Sequence, residues 1–460
     1  MEYYPLPTHN TRTGFHYFPD TTHYRESDLN AWLPELQALG ASWLTLISPP
    51  DRAIPEFFLR GLLSAGIQPV LHFCLPADLP PPTNDLRLLF NLYARWGVHY
   101  VVIFDRPNTR LAWSAPAWSQ SNLVERFLDS YLPLADAAFQ AGLIPVFPPL
   151  EPGGDYWDTA FLRAALQGIQ RRGFSHLLDR LVIGAYGWTH GRSLNWGAGG
   201  PERWPGSRPY HTPTGSEDQV GLRVFDWYLA VATAVTGKPS RILLVGGGAR
   251  FGEKDQPKGS ASLEAAHAQQ NLAIAALMAG DQEVSYDTEQ LEPVPSEVLS
   301  CNFWLLAASK DSPHAPQAWF KSDGSSLPVV GALRQWRSNR AEAWRDMPSP
   351  GPVTPCNTIG SANGSASTPS GRLIEHYLLL PVYEWGVSDW HLDVIRPFIK
   401  KYRPTIGYSM EEARRAARVT VVGGVQSFPE TSIQELRGAG CIVQQISGDG
   451  TTIATQLAAL

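Results

Sequence analysis

The hydrophobic positions of this chain fall into short continuous runs separated by amphipathic stretches. Gly14–Phe18, Ser42–Ile47, Ile67–Cys74 and Val98–Phe104 are apolar with almost no polar break. Such runs predict strands covered on both faces, because a strand with one wet face alternates instead. Between them, Glu26–Leu39, Ile54–Ala65 and Asn84–Trp96 carry apolar residues at helical spacing, as does Asn122–Ala141 after the fourth run. Each of these four is stopped by a glycine: Gly40, Gly66, Gly97 and Gly142. The alternation continues with strands predicted at Leu143–Phe147, Leu181–Tyr186, Arg241–Val245 and Val298–Ala308. Helices are predicted at Thr159–Arg172, Gln219–Thr236, Ala261–Met278 and in the segment AWFKSDGSSLPVVGALRQW. Eight strand–helix units joined by right-handed crossovers predict an α/β fold, a (β/α)8 TIM barrel over 1–347.

The pattern breaks at 348–371. This stretch is rich in Pro, Gly, Ser and Thr and has almost no large apolar residue, the composition of a linker. A smaller α/β unit is predicted over 373–460. Its strands are Tyr377–Leu380, Arg418–Val422 and Cys441–Ile446. Its helices are Ser388–Tyr402, one opened by a capping box at Ser409 and Glu412, Ser432–Leu436 and Thr451–Leu460. The composition reading of this unit is a small Rossmann-like packing domain.

Composition narrows the function classes. The 460 residues carry a net charge of −6 at 17% charged residues, with no basic excess to attract nucleic acid. No apolar run reaches membrane-spanning length, so no membrane partner is expected. The N-terminus MEYYPLPTHNTRTGF has neither a basic nor an apolar leader region. No signal peptide and a cytoplasmic location are therefore expected, with surface association left open. The four cysteines, Cys74, Cys301, Cys356 and Cys441, are far apart, and the histidines show no HxH or HExxH spacing. Neither a disulfide framework, a metal site nor a cofactor is expected. The 16 tryptophans suit either a sugar-binding cleft or large cores and packed loops.

Strand four ends abruptly in Asp105, Arg106, Pro107 and Asn108, where a barrel strand reaches the ligand-binding face. The segment VIFDRPN, Val102–Asn108, resembles the EIWNEPN segment of retaining glycoside hydrolases, in the xylosidase/iduronidase-like branch of the large (β/α)8 clan. Four further blocks resemble that family in order: DLNAWLPELQALGASWLTL, PPLEPGGDYWDTAFLRAALQG, IGAYGW and CNFWLLAASKD. The resemblance spans roughly Gly14 to Trp336. It implies a glycosidase barrel in which the acid/base glutamate falls on Arg106 and the asparagine before it on Asp105. The nucleophile falls on Gly246 and the supporting strand-two arginine on Thr45. An arginine cannot give up its proton at usable pH, so the ancestral chemistry is expected to be absent.

What remains at the mouth is polar and aromatic. Asp105 and Glu151 are the candidate catalytic carboxylates if the chain is active. Arg106, Asn108, Tyr186, Trp188, Arg250 and Trp304 are the candidate ligand-binding residues. Arg106 needs a partner and is expected to contact at least one of the two carboxylates. Arg106 and Arg250 could instead receive an anionic saccharide. Gly246–Gly248 reads either as an anion-binding nest or as the end of a decayed active-site strand. The loop Trp188–His211 adds His190, Arg192, Asn195, Trp196, Trp204 and Tyr210.

Near the C-terminus, RVTVVGGVQSFPETSIQELRGAGCIVQQISGDGTTIATQLA resembles half of a cell-wall-binding repeat of the second type, with Gly450 where the repeat prefers arginine. That resemblance implies contact with a cell-wall polymer through 373–460. Three functions stay open: a saccharide- or polyol-binding protein on a decayed glycosidase barrel, an active glycosidase with relocated carboxylates, and an interaction protein with a vestigial cleft. One expectation follows from composition alone. Limited proteolysis should nick the chain first within 348–371, releasing a fragment that mass spectrometry assigns to the barrel; first cuts inside barrel helices would contradict this boundary.

Overall fold

A computed structural model describes residues 4–252, 263–281, 283–346, 374–381, 395, 398–399, 402, 404–424, 427–447, 452–453 and 456–457. The chain divides into two units, Met1–Gly351 and Pro352–Leu460. In the first, β1 (Thr13–His16), β2 (Trp43–Ile47), β3 (Gln68–Phe73), β4 (Tyr100–Ile103), β5 (Ile144–Phe147), β6 (Val182–Trp188) and β7 (Arg241–Gly248) come in order. A two-residue hairpin follows, β8 (Ser285–Tyr286) and β9 (Glu289–Gln290), and then β10 (Val298–Phe303). All but the hairpin form a closed parallel barrel in the order β1-β10-β7-β6-β5-β4-β3-β2.

The continuous apolar runs have their expected cause. Trp43, Val70, Tyr100, Val102, Ile144, Val146, Val182, Leu243 and Val245 face one another inside the barrel. The residues between them, such as Leu44, Leu71, Val101, Phe147 and Leu244, pack outward against the helices. Each strand is therefore apolar on both of its faces over most of its length. Gly97 illustrates how a helix is stopped: at φ 92° it takes the left-handed turn that ends the helix Thr83–Arg95 and leads toward β4.

The N-terminal end of the barrel is sealed. The Trp43 indole N–H donates to Asn10 Oδ1 at 2.8 Å, and the Tyr100 hydroxyl donates to the Pro5 carbonyl at 2.8 Å. Arg12 donates from Nε to the Val298 carbonyl at 2.9 Å. Ligand access is thereby left to the opposite end, where the strands deliver their C-termini.

In the second unit, β11 (Ile374–Leu379), β12 (Thr405–Gly407), β13 (Ala416–Val422) and β14 (Ile442–Ile446) form a parallel sheet in the order β12-β11-β13-β14. Tyr377, Leu379, Val419 and Val421 fill one face; Leu378, Leu380, Val422 and Ile446 fill the other. The strand Thr405–Gly407 was not predicted: three residues carry too short a pattern to read. Ser409 Oγ accepts the Glu412 N–H at 3.4 Å, but the helix it caps runs only from Met410 to Ala413. The linker 348–371, most of 388–402 and most of 451–460 lie outside the described residues. Among the described residues, no helix is long and apolar enough to cross a membrane.

Gly14 sets how closely β1 approaches its neighbours. A Cβ there would stand 2.2 Å from Asn302 Oδ1 and 2.6 Å from the Trp43 Cβ. Gly14→Ala is therefore expected to cost about 2 kcal/mol or more, as overpacking of a filled core does. Gly331 lies in the helix Pro328–Asp346, and a Cβ there would meet nothing within 4 Å. Gly331→Ala should be neutral or stabilise by up to about 1 kcal/mol. Urea denaturation of the two variants beside the parent chain checks both signs.

Candidate functional site

The end of β4 builds the centre of the mouth. Phe104 and Arg106 both have positive φ, 76° and 44°, which are unusual values for side chains of this size. They turn the chain sharply on either side of Asp105. The turn is held by the Phe104 N–H on the Phe73 carbonyl at 2.9 Å and the Arg106 N–H on the Pro149 carbonyl at 3.0 Å. His72, wholly buried, has its Nε2 3.0 Å from the Phe104 carbonyl. An N–H at that nitrogen is the tautomer that can bond a carbonyl.

This turn brings three charged groups together. Asp105 Oδ1 accepts the Tyr186 hydroxyl at 2.7 Å. Asp105 Oδ2 accepts Arg106 Nε at 3.0 Å and lies 2.9 Å from Arg106 Nη2. The other arm of the same guanidinium, Nη1, stands 3.5 Å from Glu151 Oε2. Arg106 thus contacts both candidate carboxylates. Burial by itself would lower the Arg106 pKa; the charge of Asp105, helped by Tyr186 and Glu151, overrides it and raises the pKa. Tyr186 is pushed well up, first by burial and then by Asp105, so its hydroxyl stays protonated and donates.

Glu151 is held in place from behind. The Asn108 amide donates to the Glu151 and Tyr156 carbonyls, both at 2.9 Å, and its oxygen accepts the Glu151 N–H at 2.9 Å. Asn108 is wholly buried. Read from the sequence as a ligand-binding residue, it serves instead as the clasp that ties the strand-five loop to the strand-four turn. Asp158, which the sequence reading missed, anchors the far side of that loop. Its Oδ1 accepts the Gly153 N–H at 3.1 Å and Gln219 Nε2 at 2.6 Å; its Oδ2 accepts the Tyr228 hydroxyl at 2.9 Å.

The position expected for a nucleophile is filled. A Cβ on Gly246 would lie 2.5 Å from Cη2 of Trp188, whose ring covers this glycine. Trp188 is stacked on Tyr186 at 5.1 Å, meets the edge of Trp304 at 5.8 Å, and carries the Arg250 guanidinium over its face at 4.8 Å. Trp304 donates its indole N–H to Gln317 Oε1 at 2.7 Å and packs on His16 at 4.6 Å. Thr45, in place of the supporting arginine, donates its hydroxyl to the Val245 carbonyl at 3.2 Å. Gly246–Gly248 is not a nest. The predicted strand Arg241–Val245 continues through all three, paired with Tyr186–Trp188, because without side chains they allow the rings of β6 to lie against them.

Most of the polar loop after β6 is spent on its own packing. Arg192 pairs with Asp218 at 2.5 Å and lies over Trp196 at 4.4 Å. Asn195 donates to Glu289 Oε1 at 2.8 Å, and Trp204 donates to the Ala198 carbonyl at 3.0 Å. Tyr210 reaches across to the loop after β5, where its ring packs on Trp157 at 5.1 Å and its hydroxyl accepts the Trp157 N–H at 2.8 Å. It is 64% exposed, and its hydroxyl donates to the Asp155 carbonyl at 3.0 Å.

An open cleft of about 550 Å³ lies over the ends of β3, β4 and β5, lined by Cys74, Asp105, Arg106, Leu111, Glu151 and Asp155. Its size is that of a small-ligand site. Tyr186, Trp188, Arg250 and Trp304 are not in its lining. Cys74 and His72 were also missed by the sequence reading, although their place at the end of strand three was signal enough. Cys74 is exposed on the wall of the cleft. Among the described residues, no group of three or more His, Cys, Asp or Glu side chains is placed to hold a metal ion.

No protein-family model and no curated protein matches the chain. Several solved structures are similar to it. A family 39 glycoside hydrolase from Bacteroides cellulosilyticus WH2 matches over 71% of this chain and 64% of its own, at 12% identity and a TM-score of 0.43. The exo-beta-1,4-mannosidase Op5Man5 from Opitutaceae bacterium strain TAV5 matches over 98% and 79%, at 10% identity and 0.40. Xylanase 10B from Thermotoga maritima matches over 73% and 97%, at 9% identity and 0.41. The chain therefore spans less than two thirds of the first of these. The likeness is remote, and the barrel assignment rests on this chain's own strand pairing.

Asp158 gives the loop behind Glu151 a dependence on pH. Burial raises its pKa to about 6 despite three hydrogen-bond donors. A carboxyl raised in the folded state stabilises fully below its unfolded pKa, and that contribution is lost as pH rises through the folded value. Between pH ~4 and ~7 the parent chain should lose about 2 kcal/mol relative to Asp158→Asn, at ~1.4 kcal/mol per pKa unit. Denaturation midpoints of both chains across that range check the sign: a difference that does not change with pH would refute it.

Proposed function

We propose that this protein is a glycoside-hydrolase-like barrel that binds a neutral saccharide or related polyol in the cleft over β3–β5 and does not cleave it. The observation that carries this reading is the Arg106 guanidinium joining Asp105 to Glu151. Retaining hydrolysis needs one carboxyl as proton donor and a second as nucleophile, about 5–5.5 Å apart. A carboxylate committed to a guanidinium is a poor proton donor, and the guanidinium itself cannot replace it. Trp188 on Gly246 supports the same reading, since the ring takes the room a nucleophile would need.

The same groups suit hydroxyl recognition. Carboxylates accept hydrogen bonds from sugar hydroxyls and arginine donates them, and the exposed Leu111 offers an apolar edge. Arg106 is already shared between two acids, and Arg250 lies on Trp188 away from the cleft. The anionic-saccharide reading thereby loses its receptor, and a neutral ligand is favoured.

Calorimetric titration with neutral gluco-, xylo- and manno-oligosaccharides tests this. Binding is expected without release of shorter sugars and without turnover of aryl β-glycosides. Asp105→Asn or Glu151→Gln should weaken binding roughly tenfold, the effect of losing one hydrogen bond to a charged group. Hydrolysis that disappears in both variants would establish an enzyme with relocated carboxylates and overturn the proposal. Failure of every saccharide to bind would overturn it as well.

A further inference from the structure

A second cavity, of about 220 Å³, opens between the segment that follows β1 and the segment that follows β10. It shares no lining residue with the cleft over β3–β5. Its walls include the rings of Phe18, Trp32 and Phe320, with His23, Ser309 and Ser322 supplying polar groups. Trp32 meets Phe18 and Phe320 edge to face, at 5.7 and 5.3 Å, so the three rings form one fixed apolar surface.

His23 is fixed from two directions. Its ring lies flat on Phe18, 3.8 Å away and 14° from parallel. Its Nδ1 is 2.8 Å from Asp20 Oδ1, an oxygen that also accepts the Thr22 N–H and hydroxyl, both at 2.9 Å. Burial would raise the Asp20 pKa, but the Thr22 and His23 donors hold it below the usual carboxylate range. Asp20 accepts at this oxygen, so His23 Nδ1 carries a proton and Nε2 is the nitrogen left to meet a ligand. Among the described residues, Nε2 has no hydrogen-bond partner. A carboxylate that orients an imidazole and leaves its second nitrogen available is the arrangement by which proteins present histidine to a ligand.

We propose that this cavity is a second binding site, for a single neutral ring that carries hydroxyls: a monosaccharide or a cyclic polyol. The aromatic wall takes the apolar face of such a ring. His23 Nε2 bonds one hydroxyl, Ser322 bonds another, and Ser309, whose own hydroxyl donates to Asp20 Oδ2 at 3.5 Å, accepts from a third. The volume admits one ring and excludes a chain, since sites for larger ligands occupy about 300–1,000 Å³. Anions are not the ligand class. The cation on the cavity wall, Lys321, donates to the Pro316 carbonyl at 2.8 Å and lies over the Phe251 ring, where it is committed to the loop.

Saturation-transfer NMR on the full chain tests this, with glucose, galactose, mannose and myo-inositol as separate probes. At least one probe should receive magnetisation from the protein. Ser322 is exposed, so Ser322→Trp can fill the cavity without disturbing the core, and the signal of that probe should fall in the variant, any remainder coming from the first cleft. His23→Leu should weaken binding about fivefold or more, the effect of one lost hydrogen bond. Adding Glu151→Gln, in the other cleft, should leave the loss caused by Ser322→Trp unchanged. No transfer to any probe, a signal that neither Ser322→Trp nor His23→Leu lowers, or a loss in Ser322→Trp that disappears once Glu151→Gln is added would each overturn the proposal. Because the two sites share no residue, failure here leaves the reading of the first cleft standing.

Discussion

Strands that close on themselves enclose a space that side chains must fill, and in this barrel the filling continues up to the mouth. Valine and leucine occupy the middle of the barrel, and Trp43 and Tyr100 close its lower end. At the upper end the same requirement is met by Trp188, stacked on Tyr186 and laid over Gly246. The centre of the mouth is thus part of the core, and open space is displaced sideways onto the ends of β3, β4 and β5. The open cleft lies at the edge of the barrel, because packing has taken its axis.

The charged groups follow from that displacement. Arg106 emerges from a turn whose left-handed residues point it back between Asp105 and Glu151. A partly buried cation needs nearby negative charge, and the two carboxylates supply it. Their attraction outweighs the burial of the guanidinium, as the direction of its pKa shift records. The cleft floor is in this way a charge-compensated surface, suited to hydroxyl groups, which ask for donors and acceptors side by side.

The barrel was legible because its signal is repeated: eight apolar runs, each followed by amphipathic spacing, leave little freedom once closure and handedness are imposed. The joining of Arg106 to a carboxylate was also legible, since an isolated cation at a strand end has few other outcomes. Asn108 was misread because an amide at a strand end looks the same in sequence whether it faces a ligand or a carbonyl. The extension of the strand through the glycines after Val245 was hidden for a related reason. Their strand character comes from the rings of Tyr186 and Trp188 on the neighbouring strand, a contact between residues about 60 positions apart that no local pattern encodes. Asp158 and the pair Asp20–His23 depend on partners brought in by tertiary folding and left no readable spacing.

The Asn108 clasp has a mechanical consequence. Three hydrogen bonds tie the loop that carries Glu151 to the turn that carries Asp105. The two acidic walls of the cleft are consequently one rigid piece, and they cannot open or close against each other independently. A ligand entering there meets a surface already in its final shape. For the ligand proposed above, association should then be limited by encounter and not by rearrangement. Loops over barrel mouths are commonly the parts that vary and move. Here a single buried amide makes such a loop behave as scaffold.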